Sequence, residues 1–293
     1  MAMVAYQRAR KMVPQGPVFG VGCTAAIATD RQRRGEDRCH LALQSADSTR
    51  VVDIALSKTL GRGAQESICS ELVISLMAEA LHISVLEPVN SDITTVSLDV
   101  AVGERDWQRL LAGETDTTQD VVEQAVFPGA FNPMHQGHLD MIRYAEQKLG
   151  RSVILEISIR NVDKPPLDYL SMRERRDGAG DHPVVFTNAP TFVEKSRLFP
   201  GSVFIVGADT LARIDDPIYY TNRNERDAAV LEMAERRIQF LVFGRTGTTG
   251  FMSLEDLSLS APLRALCTGV PEDDFRADVS STELRKSKEE NDG

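Results

Sequence analysis

Phe127-Pro-Gly-Ala-Phe-Asn-Pro-Met-His-Gln-Gly-His138 is the stretch whose reading decides the fold. It follows an apolar run (Val121, Val122, Ala125, Val126, Phe127) and precedes a helical pattern (Leu139, Met141, Ile142, Tyr144, Ala145). The pattern predicts a strand, a glycine-containing turn, and a helix that begins near two histidines three residues apart. A helix N-terminus behind a tight turn attracts anions, because unpaired N–H groups and the macrodipole both face the incoming charge. Gly129 and Gly137 allow close backbone approach, and Pro133 stiffens the entry to the helix. The stretch is suited to holding phosphates.

Strand and helix alternate from here to the C-terminus. Strands are expected at 121–128, 152–160, 183–187, 202–207 and 238–243. Helices are expected at 135–149, near 170–176, and at 191–198 and 224–237. Such alternation implies a parallel sheet with helices on both faces and ligands at the carboxyl ends of the strands. The unusual residues fall there: Phe127–His138, Asn161–Lys164, Asn188, Gly207-Ala-Asp-Thr210 and Gly244-Arg245.

Toward the N-terminus the pattern differs. A short helix is expected over 1–12, strands at Val18–Ala26, His40–Ser45 and Val51–Ser57, and a helix at Gln65–Leu81. Residues 88–120 read as a linker with one short strand candidate, Ile93–Val102, an amphipathic piece around Trp107, and a polar run to Asp120. The expected organisation is therefore 1–87, a linker 88–120, and 121–293.

Composition narrows the function classes. In 293 residues, 42% are hydrophobic and 26% charged, which are globular values. A net charge of -10 argues against a general nucleic-acid or anionic-membrane binder. Cys23, Cys39, Cys69 and Cys267 show no CxxC spacing, so reduced thiols and a cytoplasmic location are the expectation. No apolar run reaches membrane-spanning length.

Gly129-x-Phe131-x-Pro133-x-His135-x-Gly137-His138 matches the GxFxPxHxGH signature of the nucleotidylyltransferase superfamily. Val279-Ser-Ser-Thr-Glu-Leu-Arg285 is similar to its second signature, (I/V)SSTxxR, and Gly207-Ala-Asp-Thr210 resembles its GxD segment. The resemblance covers about 121–288. It implies a Rossmann-like parallel-sheet domain, preceded here by a smaller α/β domain. It also implies transfer of a nucleotidyl group from a nucleoside triphosphate to an acceptor phosphate, with pyrophosphate released.

In that reading His135, His138, Lys164 and Arg285 are the catalytic candidates. Gly129, Ala130, Phe131, Asn132, Gly137, Gly207, Asp209, Arg245, Ser280, Ser281 and Thr282 bind the nucleotide. Mg²⁺ is expected on the phosphates, with no protein-built metal site. The SSTxxR form with GADT looks closest to the nicotinate or nicotinamide mononucleotide adenylyltransferases. ATP and a small phosphorylated acceptor are then the partners, with no nucleic acid or membrane. A cytidylyltransferase, a phosphopantetheine-type adenylyltransferase and a catalytically silent nucleotide-binding scaffold are the alternatives.

Plain structural readings stand beside these roles. Ser280–Arg285 could be an ordinary helix cap, Asp209 could cap the following helix, and Lys164 and Arg245 could be a surface lysine and an ion-pair partner. Arg173–Arg176 reads as a solvated helix face, and Tyr219-Tyr220 as packing.

The N-terminal region resembles half of the CinA C-terminal domain family, which includes nicotinamide-nucleotide amidases. The matching residues are Gly20-Val-Gly-Cys-Thr-Ala-Ala-Ile-Ala-Thr-Asp30, the strand pair around Cys39–Gln44 and Val51–Leu56, and Gly61–Leu81. Arg62 sits where that family places an active-site arginine. Its serine-bearing first half has no counterpart here, so a binding module, or a surface for homo-oligomers, is expected rather than a working amidase.

Overall fold

A computed structural model describes residues 1–31, 34–81, 83, 93–161, 165–247 and 250–275. The chain divides into two compact units, Met1–Ala112 with Asp163–Arg173, and Gly113–Val162 with Glu174–Gly293.

In the first unit, helix α1 (Ala2–Met12) precedes strands β1 (Gly20–Ala26), β2 (Asp37–Gln44) and β3 (Ser48–Leu56). Helix α2 (Arg62–Ala80), strand β4 (Ile93–Val102) and helix α3 (Arg105–Ala112) follow. The four strands form one antiparallel sheet in sequence order. Ile93–Val102, which the sequence places in a connecting stretch, thus pairs along β3.

The core follows from the period-two alternation of β2: Cys39, Leu41 and Leu43 point inward with Ile54 and Leu56 of β3. They pack on Ile68, Cys69 and Leu76 of α2. On β1 a Cβ at Gly20 would lie 2.1 Å from the backbone nitrogen of Tyr6, so only glycine lets α1 approach this strand. Trp107, the single tryptophan, is buried in α3.

The second unit alternates strand and helix. It runs β5 (Ala125–Pro128), α4 (Gln136–Leu149), β6 (Val153–Ser158), α5 (Tyr169–Gly178, which spans the division), β7 (Val184–Thr187), α6 (Phe192–Leu198), β8 (Val203–Gly207) and α7 (Ala208–Asp215). Helix α8 (Arg223–Glu235), strand β9 (Gln239–Phe243), the hairpin β10 (Arg245–Gly247) and β11 (Gly250–Met252), α9 (Ala261–Arg264) and β12 (Cys267–Gly269) complete it. Six strands form a parallel sheet in the order β12-β9-β8-β5-β6-β7. The fold is α/β, a Rossmann-like parallel-sheet domain with a smaller α/β unit at its N-terminal side.

The sheet strands are continuous apolar runs because both faces are covered. Val126, Phe204, Val206, Phe240 and Val242 belong to one buried cluster with Leu211 of α7 and Val230 and Met233 of α8. Counting the parallel strands in chain order, the direction of addition reverses between β5 and β8. A doubly wound sheet opens its ligand crevice at such a reversal. No described helix is long and apolar enough to cross a membrane.

Candidate active site

The turn after β5 is built from its own rings. Gly129 donates its N–H to the Glu156 carbonyl of β6 at 2.9 Å, so the turn stays tied to the sheet as it leaves β5. The Phe131 ring folds back over Gly129, where a Cβ would come within 2.7 Å of it. Phe131 holds a left-handed backbone (φ 43°) and is buried. Its ring meets Phe127 edge-on at 5.2 Å and His138 at 5.1 Å. Of the turn residues expected to bind nucleotide, Phe131 therefore supports the turn from within, and Ala130 and Asn132 are exposed on it.

His135 is the N-cap of α4, and its ring stacks on that of His138 with centroids 3.6 Å apart. The backbone N–H of His135 donates to Nδ1 of His138 at 3.3 Å. With Nδ1 occupied as an acceptor, the neutral His138 ring carries its proton on Nε2, ready to donate. Burial lowers the His138 pKa from 6.5 to about 4, with the neighbouring His135 and Arg245 acting in the same direction. His135 is shifted down as well, by burial and then Arg245. Both rings are neutral donors at pH 7.

The sign of the His138 shift gives a testable slope. Its native pKa lies below the unfolded value, so the native state binds fewer protons between pH 6.5 and about 4. This contribution to stability is intact above pH 6.5, falls away as the pH drops through that window, and is lost below it. We expect His138→Asn to flatten the fall in urea midpoint between pH 6.5 and 4 relative to wild type. Parallel curves would contradict the assigned protonation state.

Further residues reach the same crevice from other strand ends. Asp209 stands in the first turn of α7, after Gly207 as N-cap, and Arg245 opens β10 after β9. Arg245 Nη1 donates to Asp209 Oδ2 at 3.0 Å, a pairing across two strand ends that no local pattern announces. Together with Pro128, Gly129, His135, Gly137, His138, Gly207 and Thr210 they line a cleft of about 210 Å³. Met141, Phe243 and Phe275 form an apolar part of the same lining, which the sequence reading did not single out.

Lys164, Ser280, Ser281, Thr282 and Arg285 lie outside the described residues. Asn188 is turned inward, donating to the Thr115 carbonyl at 3.1 Å. The helix face Arg173–Arg176 is not merely solvated: Arg175 Nε donates to the Ala130 carbonyl of the turn at 3.1 Å, and Arg173 bonds the Val100 carbonyl and Asp99. Tyr220 donates to the Ile214 carbonyl, whereas Tyr219 is exposed.

Neutral histidine donors at a helix N-terminus, with a charged arginine at a neighbouring strand end, suit phosphate oxygens. Among the described residues no three His, Cys, Asp or Glu side chains are grouped as around a metal ion.

A family model described as cytidylyltransferase-like matches residues 126–287. The chain belongs to the cytidylyltransferase-like family. Membership makes it a nucleotidyltransferase with a nucleotide substrate, and the match takes in all of β5 but Ala125, α4 and every residue lining the described cleft. Among solved structures, an L-Ala-D/L-Glu epimerase is similar over 90% of this chain and 95% of its own. Identity there is 11% and the TM-score 0.19, which carries no argument about fold or activity. No curated protein sequence matches the chain.

Proposed function

We propose that the chain transfers an adenylyl group from ATP to the phosphate of nicotinate or nicotinamide mononucleotide and releases pyrophosphate. The observation that carries the proposal is the neutral, stacked His135–His138 pair at the start of α4, facing the same cleft as Arg245. The acceptor phosphate is already anionic at neutral pH, so no enzyme nucleophile or general base is needed. The work left to the protein is alignment and stabilisation of charge that develops on the α-phosphoryl group and the leaving pyrophosphate.

His138 donates from Nε2 to a phosphate oxygen, His135 adds a second donor, and Arg245 supplies positive charge across the crevice. Asp209, still tied to Arg245, accepts a hydrogen bond from the ribose. Gly129 and Gly137 let the triphosphate approach the backbone. By resemblance, Lys164, Ser280, Ser281, Thr282 and Arg285 complete the cradle. Bound Mg²⁺ would be held by phosphate oxygens and water and would neutralise their charge.

The family description and the resemblance to mononucleotide adenylyltransferases favour different bases, and one screen separates them. ATP and CTP are each paired with nicotinate mononucleotide, nicotinamide mononucleotide, phosphopantetheine and glycerol phosphate in the presence of Mg²⁺, and pyrophosphate is measured. Release with ATP and a pyridine mononucleotide is the expected result. Release confined to CTP removes the adenylyl assignment, and ATP binding without release from any pair favours the silent scaffold.

For the first unit we propose self-association rather than amidase activity, in line with its resemblance to half a CinA C-terminal domain. Edge strand β4 exposes Val96, Leu98, Val100 and Val102 in alternation, an apolar row rare on an isolated edge. Sedimentation of wild type as a dimer and of Leu98→Glu as a monomer is expected. A monomeric wild type at tens of micromolar would remove the idea, and deamidation of nicotinamide mononucleotide by the chain would restore the amidase reading.

A further inference from the structure

The cleft is lined by two chemical kinds of side chain: polar groups on His135, His138, Asp209 and Arg245, and apolar ones on Met141, Phe243 and Phe275. The segment that carries Phe275 is held by a contact between parts of the chain 130 residues apart. After β12 the chain turns at Pro271–Phe275, where the N–H groups of Asp274 and Phe275 both return to the Pro271 carbonyl at 3.1 Å. The Phe275 ring then stands edge-to-face with Phe243 at the carboxyl end of β9, centroids 4.8 Å apart.

Tyr144 joins these pieces to α4. It lies six residues beyond His138, so it shares the helix that carries the histidine pair. Its ring meets Phe243 at 5.6 Å and Phe275 at 6.3 Å. Its hydroxyl donates to Asp274 Oδ2 at 3.0 Å. Burial, and the Asp274 carboxylate after it, push the Tyr144 pKa up, so the hydroxyl keeps the proton it donates.

A nucleotide likewise combines charged phosphates with a flat ring. We propose that Phe275 is a stacking surface for the nucleobase of the triphosphate, and that Tyr144 is the positioning residue that holds it there through Asp274 and Phe243. The proposal rests on the transferase reading only for its choice of ligand. An aromatic face supports any base without hydrogen-bond readout, so this surface adds affinity for a ring and leaves the choice between adenine and cytosine to other contacts.

Inorganic tripolyphosphate carries the charges of ATP and no ring, which makes it the control. ATP and tripolyphosphate are titrated calorimetrically into wild type, Phe275→Ala and Tyr144→Phe, with Tm measured for each. Phe275→Ala should weaken ATP by about tenfold, the lower part of the range for loss of base stacking, and leave tripolyphosphate within about twofold. Tyr144→Phe, which keeps the ring and loses only the bond to Asp274, should weaken ATP in the same selective way by a smaller factor.

In the transfer assay, Tyr144→Phe should raise KM for ATP with KM for the acceptor unchanged. Equal weakening of both ligands, or unchanged ATP binding, overturns the stacking surface while leaving the transferase reading intact. Selective loss of ATP affinity in a chain that transfers nothing supports the surface and removes the transferase reading.

Discussion

His138→Ala is expected to lower kcat/KM for pyrophosphate release by about a hundredfold or more, with the chain still folded. His138 offers a neutral Nε2–H because its Nδ1 accepts the His135 backbone N–H and because burial holds its pKa near 4. A donor aimed beforehand at developing phosphate charge needs no reorganisation during the reaction, and alanine leaves that charge to water. His138→Asn, which retains a donor on a shorter side chain, should recover part of the loss. The His138 ring also packs against Phe127 and Phe131, so a Tm measurement accompanies the kinetics. Turnover equal to wild type in a folded His138→Ala chain would remove this cleft as the site of reaction.

Lys195→Met should have the largest effect on stability. Glu156 of β6 is fully buried, and its Oε1 accepts from Lys195 Nζ at 2.8 Å and from the Thr187 hydroxyl at 2.5 Å. Lys195, itself buried, also donates to the Ala189 carbonyl at 2.7 Å. Oε2 of Glu156 has no hydrogen-bond partner among the described residues, so the pairing to Lys195 carries the compensation for a buried charge. Removing one member of such a pair costs about 3–5 kcal/mol, because the remaining charge is left without its counterion.

For a unit of this size that corresponds to a drop of roughly 10 °C in Tm. Glu156→Gln combined with Lys195→Met should regain much of it, since the charge is then gone from both sides. The pair stands under the active turn as well, because the Glu156 carbonyl accepts the Gly129 N–H. Calorimetry of the single and double variants checks the argument, and a single variant within 1 °C of wild type would contradict it.

These features differ in how far a sequence can show them. The strands at 153–158, 203–207 and 239–243 are legible because burial on both faces demands continuous apolar runs. The turn from Gly129 to His138 is legible because its residue types answer local backbone and anion requirements. Strand β12, three residues of Cys-Thr-Gly, carries no periodicity and exists only through its pairing with β9. Ile93–Val102 alternates as a strand should, but its place beside β3 is a long-range fact.

Side-chain partners are hidden for the same reason. Helix polarity marks Arg175 as outward-facing without naming the carbonyl it meets, and the Arg245–Asp209 pair joins loops after different strands. Tyr144 and Asp274 are brought together only by β12 returning to the edge of the sheet. The aromatic residues of the cleft are therefore out of reach of motif reading, while the turn and histidine pair are written contiguously from Gly129 to His138.

The central claim is direct nucleotidyl transfer with no covalent intermediate on the protein. It is tested most directly by incubating the chain with Mg²⁺, nicotinate mononucleotide and ATP radiolabelled at the α-phosphate. We predict that label appears in a new dinucleotide in equal amount to the pyrophosphate released, with none on denatured, washed protein. Label retained covalently on the protein, or ATP left intact with every acceptor supplied, would contradict it.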